Sequence, residues 1–282
     1  MIQWYPGHMA KALREASEKV KLVDLVMIVL DARVPYSSLN PEIIKLVNNK
    51  RVLLILNKKD KADSNQTALW KKYYESKNYA VLPINAKDNG DIKKLLAKAK
   101  DLMAEKRAKD ALKGLKVRPI KTMMIGIPNA GKSTIINGLV NKKVAGVGDK
   151  PGVTKSQQWI RINQDLELLD TPGILWPKFE NQELASNLAI TGAIKDEIVD
   201  LNKLVRYALE LYLKYYPQEL VKRYEIKVED EMEIIIQKIA KKNNLFNIDK
   251  TIDYDRVALL VLNDIRSSRL GKITLDRYQH EE

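Results

Sequence analysis

The segment Gly126-Ile-Pro-Asn-Ala-Gly-Lys132-Ser133 fits G-x-x-x-x-G-K-[ST], a loop whose backbone N–H groups wrap phosphates. It constrains the fold because such a loop sits between a strand and a helix, where the helix N-terminus adds a favourable dipole. Lys121–Ile127 is the apolar run leading in, and Ser133 to Val140 reads as the helix leading out. A second loop, Asn57-Lys58-Lys59-Asp60, has the composition of a guanine reader and follows the apolar run Arg51–Leu56. The phosphate loop normally precedes the guanine reader in a chain. Here it follows.

The surrounding pattern is α/β. Short apolar runs at Leu25–Asp31, Tyr79–Ile84 and Asp165–Asp170 alternate with helical stretches, the mark of buried parallel strands. The spacing predicts helices over 9–23 and 91–113, and a linker over 114–119 that contains Gly114 and Pro119. From about residue 180 the pattern is helical, over 182–195, 200–215, 229–242 and 254–270. The expected organisation is a nucleotide-binding domain over 1–178 with a parallel-rich sheet, then an all-α domain over 179–282.

Each candidate site residue has a chemical reason. Lys132 would neutralise β- and γ-phosphates, and the Ser133 hydroxyl would ligate Mg²⁺. Ala130, Gly131 and Thr134 complete the cradle. Asp170-Thr-Pro-Gly173 ends a strand, where Asp170 can hold Mg²⁺ through water and Gly173 can offer its N–H to the γ-phosphate. Read alone, that tetrapeptide is also an ordinary turn. Asp60 can accept from the N1–H and N2–H₂ edge of guanine, a donor pair adenine lacks. Asn57 would tie neighbouring loops to the base, and the stem of Lys58, beside Lys59, would cover a ring face. Asn85-Ala86-Lys87 would supply the backbone N–H that meets guanine O6.

These loops all lie at carboxyl ends of strands, where open α/β sheets bind ligands. Their rotated order resembles the circularly permuted GTPases. With Trp4-Tyr-Pro-Gly-His-Met9 in front and a helical tail behind, the whole chain resembles the ribosome biogenesis GTPase A (RbgA, YlqF) family. The resemblance implies GTP hydrolysis with Mg²⁺, a large-subunit ribosomal precursor and its rRNA as partners, and Thr154 as a switch residue closing on Mg²⁺ and γ-phosphate. It also implies K⁺ held by Asn129, which otherwise merely suits the loop's backbone angles. Many GTPases carry a water-orienting Gln after Asp-x-x-Gly. That position is Ile174, so another group must act. The resemblance gives that role to His8, which read alone is a helix-start histidine packing on Trp4 or Tyr5. His280 is expected to be a tail residue.

Charge is divided unevenly. Residues 1–178 carry 33 basic against 17 acidic side chains, and residues 179–282 carry 16 against 19. A basic half suggests a polyanionic partner, set against a plain solubilising surface. Arg266, Arg269 and Lys272 could grip phosphate or offset a helix dipole; the resemblance favours phosphate. Lys93, Lys94, Lys98, Lys100, Lys106, Arg107 and Lys109 form either a second RNA face or a solvated helix surface. There is no cysteine, hence no disulfide framework and no thiolate metal site. No signal-peptide pattern or membrane-length apolar run is present, so the expectation is a cytoplasmic monomer. Cutting after residue 178 is expected to spare nucleotide binding and uncouple it from the partner. The rivals are another ribosome-linked permuted GTPase, a nucleotide-state sensor with incidental hydrolysis, and a metabolic P-loop kinase; the guanine loop disfavours the last.

Overall fold

The computed structural model describes residues 2, 7–116, 118–140, 158–175, 179 and 181–278, except the side chains of His8 and Gln158. Among these, β1 (Leu25–Asp31), β2 (Arg51–Asn57), β3 (Ala80–Pro83), β4 (Ile120–Gly126), β5 (Gln158–Arg161) and β6 (Leu166–Asp170) form one sheet ordered β3-β2-β1-β4-β6-β5. Only β5 runs antiparallel. β1 is buried at every position because helices cover both sheet faces, which is why it reads as an unbroken apolar run.

The helices of the first half are α1 (Gly7–Lys19), α2 (Pro41–Leu46), α3 (Ser64–Ser76), α4 (Asn89–Leu112) and α5 (Lys132–Val140). Side-chain caps set several starts. The Asp63 carboxylate accepts from Asn65 N and Gln66 N at α3, and the Asp88 carboxylate accepts from Asp91 N at α4. α4 ends at Leu112 and β4 begins at Ile120, so the expected linker lies between them, its Gly114 at φ 69°.

The second half holds α6 (Gln182–Ile190), α7 (Leu201–Tyr215), α8 (Pro217–Tyr224), α9 (Met232–Asn243) and α10 (Tyr254–Arg266). One continuous apolar core runs from a sheet face (Met27, Val29, Ile55, Met124) into these helices (Leu188, Leu204, Leu209, Tyr212, Ile239). The two halves are also stitched by a terminal strap. Ile273 N donates to Lys61 O (3.1 Å), Leu275 N to Arg33 O (2.7 Å) and Trp70 Nε1 to Asp276 O (2.8 Å). The buried Asp276 carboxylate accepts from Ser37 N (2.7 Å), Ser37 Oγ (2.6 Å) and Asn187 Nδ2 (3.0 Å). The segment after α10 thus packs on the first half although it belongs to the second in sequence. No helix among the described residues is long and apolar enough to cross a membrane.

Candidate guanine-nucleotide site

Five parallel strands end on one sheet edge, and that edge collects the motif loops. Asn57, 2% exposed, joins two of them: its Nδ2 donates to Ala130 O (2.7 Å) and its Oδ1 accepts from Ala86 N (3.1 Å). The Ala86 N–H is therefore engaged with Asn57, and a guanine O6 would have to share or take it. Gly131 sits at φ 98°, and a Cβ there would lie 2.2 Å from Asn57 Nδ2, so no other residue fits without moving the tie.

Lys58 adopts φ 62°, and its ammonium bridges Asp31 Oδ2 (2.9 Å) and Asn129 O (2.5 Å). Lys59 turns away to pair with Asp91 (2.6 Å), while the Asp60 carboxylate is exposed. Asn85 N donates to Asp91 Oδ2 (2.8 Å) and Asn85 Oδ1 accepts from Lys87 N (3.0 Å), which shapes the loop beyond β3.

On the phosphate side, the buried Lys132 ammonium rests on Gly126 O (3.1 Å) and Ile127 O (2.9 Å). Burial pushes it down to about 8, against the upward pull of Asp170. Ser133 and Thr134 stand half-buried at the start of α5. Asn129 sits at φ 57° with Nδ2 donating to Gly192 O in the turn after α6 (2.7 Å). Gly173 is pressed against the phosphate loop, where a Cβ would come within 2.6 Å of Pro128 N. The Ile174 side chain is fully buried among core residues, while its N–H donates to Gly126 O of the phosphate loop (3.1 Å).

Asp170 tests the fit of a cation. It is fully buried, and among the described residues neither carboxylate oxygen has a hydrogen-bond partner. Burial pushes it up to about 6, although Lys132 pulls it down. A buried, unsatisfied carboxylate facing a phosphate loop fits a divalent cation and its water. Because its folded value lies above the unfolded 3.8, the stability tied to protonated Asp170 is complete below 3.8 and lost as pH rises through about 6. At pH 8 the buried charge costs about 3 kcal/mol. Asp170→Asn is therefore expected to raise the melting temperature of nucleotide-free protein by about 5 °C at pH 8 and by about half as much at pH 5, while removing Mg²⁺-dependent tightening of GDP. Thermal melts at both pH values and Mg²⁺ titrations check this; equal melting shifts at both would contradict it.

Motif reading missed Asp31 and Arg33. The Arg33 guanidinium, 2% exposed, forks onto Asp31 (Nε–Oδ1 2.9 Å, NH2–Oδ2 2.7 Å). Burial alone would raise Asp31, but Arg33 and Lys58 hold it far below the usual carboxylate range. The run Asp31-Ala-Arg33 after an apolar strand was the available signal.

Arg266 departs from expectation. Its guanidinium donates to Ile190 O (3.0 Å) and Ala189 O (2.8 Å) at the end of α6 and forks onto Asp196 (2.8 and 2.7 Å). It is an internal cap, committed to partners some 70 residues away, and leaves the set of phosphate-facing cations. Arg269 is 63% exposed beside Asp264, and Lys272 is exposed. Most α4 cations pair with nearby acids: Lys94 with Asp91, Lys98 with Asp101, Lys100 and Arg107 with Asp165, Lys106 with Asp24 and Lys109 with Glu105. Thr154, His280 and the His8 side chain lie outside the described residues.

The strands β1–β3 that lead into the Asn57 and Asn85 loops precede β4 and its phosphate-loop motif in sequence, yet all end on one sheet edge. Fold and site define a circularly permuted P-loop GTPase. The family described as 50S ribosome-binding GTPase matches residues 121–243. The chain is 44% identical to ribosome biogenesis GTPase A of Bacillus licheniformis over 98% of each chain. It is 28% identical to that of Thermotoga maritima over 98% of this chain and 94% of the relative. The crystal structure of GNP-bound YlqF from T. maritima shares the fold with a TM-score of 0.69 at 24% identity, over 95% of this chain and 98% of that one. The chain belongs to the ribosome biogenesis GTPase A family; it binds and hydrolyses GTP and acts in ribosome assembly.

Proposed function

We propose that this GTPase works late in assembly of the large (50S) subunit, binding the precursor and its rRNA and hydrolysing GTP to remodel it or to leave. The match to the 50S ribosome-binding GTPases carries this reading, and the basic excess of residues 1–178 supports it. In this reading residues 1–178 handle nucleotide, and residues 179–282 respond to it and contact the precursor through cations such as Arg269 and Lys272.

At the site, Asp60 selects guanine by its hydrogen-bonding edge, the stem of Lys58 covers a ring face, and Lys59 braces the loop through Asp91. Asn57 holds the loops of Ala86 and Ala130 in register. Lys132 neutralises phosphate, and Gly173 brings its backbone against the terminal phosphate. Ser133, Thr154 and Asp170 would hold Mg²⁺, which supplies charge neutralisation between β- and γ-phosphates. Asn129 would help hold K⁺. Because Ile174 is buried and apolar, water must be oriented by another group, and His8 is assigned that role.

The test is GTP and ATP hydrolysis in KCl, with large subunits and with small subunits as control. GTP-selective turnover raised only by large subunits is expected, and binding to them should weaken steeply between 50 and 200 mM salt, as phosphate contacts require. Buried Ile174 also favours a nucleotide-state sensor. That reading gains if neither subunit stimulates turnover and His8→Ala leaves it unchanged.

A further inference from the structure

Arg33 is buried, and Asp31 stands between its guanidinium and Lys58 of the proposed guanine loop. Its fork onto Asp31 is reinforced by its own backbone N–H on Asp31 Oδ1 (3.1 Å). The free corner of Asp31 Oδ2 receives Lys58 Nζ, whose other acceptor is Asn129 O in the phosphate loop. From the opposite side, Arg33 NH2 reaches Thr191 O in the turn after α6 (3.4 Å), and Arg33 O takes Leu275 N from the strap. A buried ion pair of this kind adds little to stability over well-packed apolar residues, so its value lies in registry. Lys58 gains most from such registry. It occupies a left-handed backbone conformation that a lysine rarely adopts, on a stem that would otherwise sample many rotamers.

We infer that Arg33 is a positioning residue for guanine nucleotide: acting through Asp31, it fixes the Lys58 side chain between the guanine loop and the phosphate loop before nucleotide arrives. Lysine cannot replace it fully, because an ammonium lacks the planar fork that matches a carboxylate and reaches Thr191 at the same time. The inference rests on reading Asn57–Asp60 as the guanine loop.

The test is a double-mutant cycle with Arg33→Gln and Lys58→Ala, measuring the dissociation constant of a fluorescent GDP analogue on the full chain, with melts to establish folding. Arg33→Gln is expected to weaken binding about tenfold in the natural background and less than about twofold when Lys58 is already alanine. Arg33→Lys should fall between, at about threefold. Equal losses in both backgrounds would show that Arg33 acts on the fold rather than through Lys58. An unchanged dissociation constant would also overturn the inference. If Arg33→Gln does not fold, the same cycle is run with Arg33→Lys. Asp60→Ala separates the two readings: if it spares GDP affinity the guanine loop is misassigned, whereas if it alone weakens binding the inference about Arg33 fails by itself.

Discussion

Replacing Lys132 with alanine is expected to reduce single-turnover GTP hydrolysis by about a hundred- to a thousandfold, the scale of losing one preorganised charge at the reacting group. The structure explains why the loss should be large. The ammonium is buried, lies against two phosphate-loop carbonyls, and among the described residues is balanced by Asp170. Its charge is therefore held in a weakly screening place, where an incoming phosphate would gain the most from it. The same burial gives the effect a pH signature. With Lys132 pushed down to about 8, nucleotide-free protein loses this proton as pH rises past that value, so natural-sequence affinity for GDP should decline above pH 8. Lys132→Ala should flatten that decline as well as lower the turnover. Stopped-flow hydrolysis and GDP titrations between pH 6.5 and 9.5 measure both. A variant that keeps natural turnover would mean that phosphate is held elsewhere.

Removing residues 179–282 is the second large effect, and here the structure reverses the expectation drawn from sequence. Nucleotide binding should not survive intact. The cut strips the helical side of a shared apolar core and the strap that covers Ala32–Ser38. It also deletes Thr191 and Gly192, whose carbonyls accept from Arg33 and Asn129. Without those two acceptors Arg33 and Asn129 lose part of what holds them in place, so nucleotide affinity is expected to fall by about tenfold or more. Calorimetric GDP titration and melting of the 1–178 fragment decide the matter. Natural affinity with a cooperative melt would show that the nucleotide site is independent of the helices.

The sequence conveyed the fold best where a segment is buried on both sides. β1 is such a strand along its whole length, and β2, β4 and β6 keep short buried apolar stretches (Leu53–Leu56, Met123–Ile125, Leu168–Leu169). β5 escaped because it is a four-residue edge strand, Gln-Trp-Ile-Arg, with Trp159 exposed. α3 escaped because Gln66 and Thr67 share its buried face with Trp70 and Tyr74, which blurs the apolar period. α2 is only six residues, too short to show a period. At the site, Asn57 and Lys132 were legible because their chemistry is tied to fixed spacing. Arg33 was not, because its partners Thr191 and Leu275 are set by tertiary packing. Arg266 misled for the same reason: a cation beside a helix end reads as available until Asp196 is seen to hold it.

The connection between α4 and β4 runs at the sheet edge away from the nucleotide loops, and Lys113–Lys116 are exposed there. Before it lie Asn57, Lys58 and Asp60; after it lie Asn129, Lys132 and Asp170. What joins them is the parallel ladder from Leu25↔Thr122 to Val29↔Gly126. Opened at that connection, the chain becomes two polypeptides, one with the proposed guanine loop and one with the phosphate-loop motif. Neither would bind the whole ligand, so guanine nucleotide would bridge the pair and favour their reassembly. On this reading the rotated motif order makes the protein a split receptor whose halves share one backbone.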